Sequence, residues 1–236
     1  MKKTLFSALL SLAALTPTAA QDVNYQNPAS WGGQCQTGQS QSPIDINGTE
    51  AAMTHRLMTA YSVTPLSMAD SSRGLMQGYA AGSYMQVGDK KFELKGLVFR
   101  TPSEHSVMGK SFPAAIQFVH ENSAGHKAII AVMVAEGAEN LAAKEWLDRL
   151  PKKNGRSQDM KTLLNARDLM PFDTGYYRYM GSLTTPPCSE GVNWYVMKTP
   201  ITMSKAQISS LSALTKGKTR PIQRRNFRLI IDTESQ

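Results

Sequence analysis

Histidine and cysteine are scarce in this chain, with four His and two Cys in 236 residues. Two cysteines exclude a disulfide-dense scaffold and an all-cysteine zinc cluster. His55, His105, His120 and His126 are nowhere spaced as a metal-binding pair on one strand or one helix turn. Beyond residue 20 no apolar run reaches the length of a membrane-spanning helix. Internal repeats, low-complexity tracts and linkers are also missing. Hydrophobic residues make up 41% and charged residues 19%, which excludes a disordered or collagen-like chain. What remains is long enough to bury a sizeable core in one large domain or two small ones.

The first twenty residues read as an export signal. Lys2 and Lys3 supply the positive start, and Leu5 to Leu15 is an apolar stretch too short to span a bilayer. Thr18-Ala19-Ala20 offers small residues for cleavage, so residues 1–20 are expected to be removed and the mature domain to run from 21 to 236. An uncleaved anchor is the alternative. The expected destination is the periplasm or the medium. Export permits a disulfide, and Cys35 with Cys188 is the one pair available. A loop that long would give about 5 kcal/mol of stabilisation in the chain-entropy description, less any strain. The net charge of +8 falls to +6 without Lys2 and Lys3. Part of the excess lies in Lys216, Lys218, Arg220, Arg224, Arg225 and Arg228. Such a stripe can attract anionic glycans, lipid headgroups or nucleic acid, although a solvated face is the plainer reading.

Turn residues recur throughout: Pro28, Gly32-Gly33, Gly82-Ser83, Gly88-Asp89, Pro102, Gly109, Gly125 and Pro186-Pro187. They punctuate short apolar runs, the pattern of many strands rather than a helical bundle. Strands are expected over 91–100, 114–120, 128–135, 192–198 and 228–231. The 128–135 run is apolar on both faces, as in a buried central strand. A helix is expected over 140–150, with Leu141, Trp146, Leu147 and Leu150 at roughly helical spacing and Pro151 ending it. A second follows the capping box of Ser204 and Gln207, with Ile208, Leu211 and Leu214 on one face. The fold class is β-rich α+β: a single domain with short peripheral helices.

Four segments carry a family likeness. They are Gln41 to Ile46 (QSPIDI), Thr101 to His105 (TPSEH) leading on to Phe118-Val119-His120, Tyr177 to Trp194 (with SLTTPPC inside it), and Arg220 to Gln223 (RPIQ). In this order and spacing the chain resembles an α-class carbonic anhydrase of the exported bacterial kind, over nearly its whole mature length. The resemblance implies a large, twisted, mostly antiparallel central sheet, and the same Cys35–Cys188 disulfide. It also allows a homodimer. The family's chemistry needs zinc on three histidines, two alternating on one strand and the third on its neighbour. The matching positions here are Val98, Arg100 and Gln117. Two residues that would orient those ligands are replaced as well, by Gly96 and Ala115. The stretch 71–79, where the family usually carries a proton-shuttling histidine, holds none.

Zinc lowers the pKa of its bound water from 15.7 to about 7, an activation of about 12 kcal/mol that no rearrangement of the remaining side chains replaces. The resemblance therefore implies a chain with no catalytic residue in office, no metal and no cofactor. Glu104 and Thr184 remain as the pair that would orient a zinc-bound hydroxide. Val119, Ile129, Leu183, Thr185 and Trp194 remain as the pocket wall for carbon dioxide, although core packing explains them equally. His105 and His120 match buried structural histidines. Three places are open to the Arg100 charge: paired with Glu104, reaching to the cavity mouth, or holding an anion such as bicarbonate. The first two together are favoured. The expected function is an exported, catalytically inactive binding or scaffold module. Its partner would be a protein or an acidic glycan of the cell envelope, not nucleic acid. The alternatives are carbonate dehydratase activity through an unanticipated metal site and the binding of a small anion.

Overall fold

The computed structural model describes residues 22–233; the expected signal segment, 1–20, lies outside them. Ten strands succeed one another across one sheet. In spatial order they are Arg156–Asn165, Val63–Ser71, Gly74–Gly78, Lys90–Arg100, Ala114–Glu121, Lys127–Glu136, Glu190–Met197, Tyr176–Ser182, Ile231–Thr233 and Glu50–Ala52. Leu57–Ala60, Tyr84–Val87 and Ile201–Met203 extend it, and Asp45–Ile46 pairs separately with Ser106–Val107. Most pairings are antiparallel. The sheet is mixed because Lys127–Glu136 runs parallel to Glu190–Met197 and to Ile201–Met203, and Ile231–Thr233 parallel to Glu50–Ala52.

The core lies on both faces of this sheet. Along Lys127–Glu136, Ile130, Val132 and Val134 join one apolar cluster while Ile129, Ala131 and Met133 join another. This is the two-sided burial that its unbroken apolar run calls for. The first cluster is closed by the helices Leu141–Leu147 and Lys205–Thr215, with Trp146 against Phe99 at 4.9 Å between ring centroids. The second is closed by Ile44, Ile46 and Ile230 from the chain ends.

Asn140 caps the first helix by accepting from the Ala143 amide at 3.0 Å. Trp146 and Leu147 are buried, but Leu141, expected on that face, is 75% exposed in the first turn. The Ser204–Gln207 capping box is present, with Leu211 buried behind it and Ile208 and Leu214 packed against the core. One strand is displaced: the segment expected to be extended over 228–231 enters the sheet only at Ile231. Asn226 and Phe227 have φ of 51° and 60°, which keeps the chain turned just before it. Three short helical turns, Pro28–Trp31, Gln34–Thr37 and Ala166–Leu169, are too brief to leave a periodic signal.

One irregularity positions everything that follows. In Lys90–Arg100 the register against Ala114–Glu121 passes from Leu94 opposite His120 to Gly96 opposite Val119, leaving Lys95 as an extra residue. Strict alternation would place Leu94, Gly96, Val98 and Arg100 on one face. The bulge instead puts Phe92 and Leu94 with Leu97 and Phe99 in the first cluster, and turns Val98 and Arg100 to the other face.

Candidate functional site

On that second face the register sets Val98 opposite Gln117 and Arg100 opposite Ala115. Directly paired residues point to the same side of a sheet, so Val98, Arg100 and Gln117 are neighbours, as their expected common role requires. All three are buried, and so are Glu104 and Thr184.

Glu104 is the hub. Its Oε2 accepts from Gln117 Nε2 and from Thr184 Oγ1, each at 2.7 Å. Its Oε1 accepts from the backbone amide of Arg220 at 2.9 Å. Arg100 Nε stands 3.4 Å from Oε2, an ion pair without the alignment of a hydrogen bond, since Nε has no hydrogen-bond partner. The carboxylate thus gathers its partners from three separate parts of the sequence.

Arg100 does not reach toward the cavity mouth; it is 2% exposed, and that part of the expectation is corrected. Its Nη1 donates to the carbonyls of Arg73 at 2.8 Å and Lys218 at 3.2 Å. Its guanidinium lies 5.9 Å from the Tyr25 ring centroid. The slot exists because residue 74 is glycine: a Cβ there would run into Arg100 Nη1. Carboxylate, carbonyls and aromatic face together offset the desolvation of a charge placed too deep to snorkel. Burial raises the Tyr25 phenol above its ordinary pKa, with the Arg100 charge opposing. Gly74, Tyr25 and the two carbonyls were not legible as functional positions, because backbone acceptors carry no sequence signal.

Arg220 corrects a second expectation. Placed by sequence on a solvated basic stripe, it is buried. It donates to Gln41 Oε1, to the Ser42 carbonyl and to the Cys35 carbonyl, each at 2.8 Å. Burial lowers its pKa while Glu104 opposes the fall. Lys218 is also engaged, at 2.6 Å from Asp70. One side chain therefore ties the QSPIDI segment, the RPIQ segment and the disulfide end together. Cys35 and Cys188 are bonded as expected.

The histidines are spread apart. His105 Nε2 lies 2.6 Å from Tyr179 Oη, which continues to Ser42 Oγ at 2.8 Å. His120 Nε2 lies 2.9 Å from Tyr61 Oη. Burial pushes both imidazoles down to about 3. His55 and His126 are exposed. Among the described residues no three His, Cys, Asp or Glu side chains converge as a metal site would need.

Ile129 and Trp194 are buried in the second cluster with Ala115, and Val119 and Leu183 pack against it. Trp194 Nε1 donates to the Ser182 carbonyl at 2.9 Å. Thr185 is half-buried next to Thr184. Gly96 has its own local reason: a Cβ would stand 2.6 Å from the Gln77 carbonyl oxygen.

Residues 26–235 match the family described as eukaryotic-type carbonic anhydrase. The carbonic anhydrase of Pectobacterium carotovorum is 33% identical over 243 residues, covering 98% of this chain and all of that one. Dioscorin DB3L of Dioscorea polystachya is 28% identical, covering 86% of this chain and 81% of its own length. The solved α-carbonic anhydrase of Photobacterium profundum superposes with a TM-score of 0.83 at 38% identity, covering 88% of this chain and 96% of that structure. With the mixed sheet, the interlocked motif segments and a match across nearly its full length, the chain belongs to the α-type carbonic anhydrase family.

Proposed function

We propose that this family member has lost the zinc chemistry and serves as an exported binding or scaffold module. The observation that carries the reading is the donor set at the family's three metal positions. Val98 offers hydrocarbon. Arg100 offers a fixed cation whose Nη1 is engaged by two carbonyls. Gln117 turns its amide nitrogen to Glu104, leaving one neutral carbonyl oxygen. Zinc sites are built from imidazole, thiolate and carboxylate, so these residues do not fit the metal. Arg100 would also repel it. The replacements at Gly96 and Ala115 remove the partners that such ligands depend on.

What the residues do instead is hold one another. Glu104, Gln117, Thr184, Arg100 and the Arg220 amide form a closed, almost fully satisfied polar core. Such a network rigidifies a fold and leaves no group free to activate water. Export is supported by the Lys2–Ala20 pattern and fits the disulfide. The partner is expected to be a protein or an acidic component of the cell envelope.

Metal content and carbon dioxide hydration test the reading together. The purified chain is expected to hold no stoichiometric zinc and to hydrate carbon dioxide no faster than buffer. Stoichiometric zinc with hydration inhibited by a sulfonamide would establish the enzyme instead. The variant Val98→His, Arg100→His and Gln117→His is expected to regain zinc in part, since the register already sets those positions side by side. A folded triple variant that takes up no zinc would mean that the positions are misassigned.

A further inference from the structure

The segment between the helix Lys205–Thr215 and the strand Ile231–Thr233 carries a feature that the buried Glu104 network does not use. Phe227 is wholly exposed, at 106% of its reference area, and sits at φ 60° directly after Asn226 at 51°. Asparagine tolerates the left-handed region; a bulky aromatic rarely enters it. Within the chain the ring buries nothing that would compensate.

The turn is nonetheless firmly held. Asn226 Nδ2 donates to the Gln39 carbonyl at 2.9 Å. Arg225 Nε donates to the Arg228 carbonyl and Arg228 Nε to the Arg225 carbonyl, at 2.6 and 2.7 Å. Arg228 Nη2 reaches the carbonyls of Gln41 and Arg224, both at 2.8 Å. Carbonyl partners fix these guanidinium groups without neutralising them. No carboxylate forms an ion pair with Arg224, Arg225 or Arg228 among the described residues. In the same segment Ile222 and Leu229 are 47% and 49% exposed, and Arg228 Nη1 donates to the carbonyl of Met180, itself 43% exposed. A cleft of about 430 Å³ on the flank is lined in part by Gln36, Gln39, Arg224 and Asn226.

We propose that the Ile222–Leu229 turn is a preorganised docking tip for an anionic lipid surface. Phe227 enters the boundary between headgroups and acyl chains, and Arg224 and Arg225 meet the phosphates, while Arg228 faces inward, 5.5 Å from the Tyr179 ring centroid, and holds the turn. A fully exposed aromatic beside two cations without carboxylate partners has the complementarity of a bilayer interface. An acidic polysaccharide would be met better by a concave site with aromatic faces lying flush. The inference deepens the binding-module reading by naming a surface, and it rests on that reading.

The test uses the purified chain without residues 1–20, so that the apolar Leu5–Leu15 stretch plays no part. It is sedimented with phosphatidylcholine vesicles, alone or with phosphatidylglycerol as about a third of the lipid. Binding is expected to be more than about tenfold stronger on the anionic vesicles and to collapse as salt rises from about 0.05 to about 0.5 M. Phe227→Gly is expected to raise the melting temperature, because the backbone strain is relieved, and to weaken vesicle binding by more than about fivefold. Arg224→Glu is expected to weaken binding with the melting temperature unchanged. Equal binding to both vesicles, or a Phe227→Gly variant that binds as well as the parent, overturns the proposal. Binding to soluble polygalacturonate with none to vesicles overturns it as well, and assigns the patch to glycan. Zinc content measured on the same preparation separates the two readings. A zinc-free chain that ignores anionic vesicles defeats this inference alone, whereas a zinc-loaded, hydrating chain defeats the loss of zinc chemistry whatever the vesicles do.

Discussion

Arg100 and Glu104 form an ion pair in a place with almost no water: their side chains are 3% and 0% exposed. Removing one member of such a pair strands the other, and the penalty is about 3–5 kcal/mol. Arg100→Met and Glu104→Gln are each expected to lose stability on that scale in urea unfolding. Arg100→Met with Glu104→Gln together is expected to lose less than the sum, by about 1–3 kcal/mol, because neither member of the pair is then left without the other. Strictly additive losses would mean that the carbonyls of Arg73 and Lys218, not the carboxylate, hold the guanidinium. At this scale the sequence was informative about residue types and silent about depth. That residues 98, 100 and 117 meet, and that Thr184 bonds Glu104, was implied by the family resemblance. That Arg100 points inward was not, because its cradle consists of two carbonyls and of the side chain that Gly74 lacks. Arg220 misled for the same reason: three oxygens from the 35–42 region accept from it, and two of them belong to the backbone.

A strand is legible from its apolar alternation, but the phase of that alternation is not when a residue is inserted. The Lys90–Arg100 strand was expected within one residue of its observed start. Its bulge at Lys95 was not foreseen, although a glycine inside a strand is the signal for one. Without the bulge Val98 and Arg100 would face the helices instead of Gln117. Gly96→Ala tests how tightly this is specified. Its new Cβ would lie 2.6 Å from the Gln77 carbonyl oxygen, and backbone in a sheet centre yields little. The expected loss is about 2–3 kcal/mol. Gly109→Ala is the comparison: its φ is 75° with nothing within 4 Å of a Cβ, so only the backbone preference is lost, about 1 kcal/mol. Equal losses at the two sites would mean that the bulge can relax. The displaced strand at Ile231 has the same kind of cause, since a residue-by-residue apolar pattern cannot reveal that Asn226 and Phe227 adopt positive φ.

Over the whole molecule, each face of the sheet holds one fully buried neutral histidine. His105 packs at 4.6 Å from Trp194 in the second cluster, and His120 lies opposite Leu94 and Ala128, which belong to the first. Burial pushes both down to about 3 from 6.5. The direction of the linkage follows from which state takes the proton. Between those two values the unfolded chain is protonated at both positions and the folded chain at neither, so unfolding consumes protons and stability rises with pH. The contribution is complete above about pH 6.5 and is lost as pH falls toward 3, at up to about 1.4 kcal/mol per pH unit for each histidine. Between pH 7 and 5.5, before most carboxylates titrate, the two together are expected to remove about 2–3 kcal/mol. Urea midpoints across that range measure the slope. His120→Gln is expected to lower stability at pH 7 yet to flatten the slope by about half; His126→Gln, on the exposed turn, controls for substitution itself. A slope halved in the parent chain would mean that one histidine takes up a proton in the fold, and a midpoint that stays level from pH 7 to 5.5 would mean that both do, through a counter-charge or a water path to each ring. The Cys35–Cys188 bond holds 153 residues of separation closed in either state, so it limits the freedom of the unfolded chain at any pH, and reduction at pH 5.5 should lower the midpoint further.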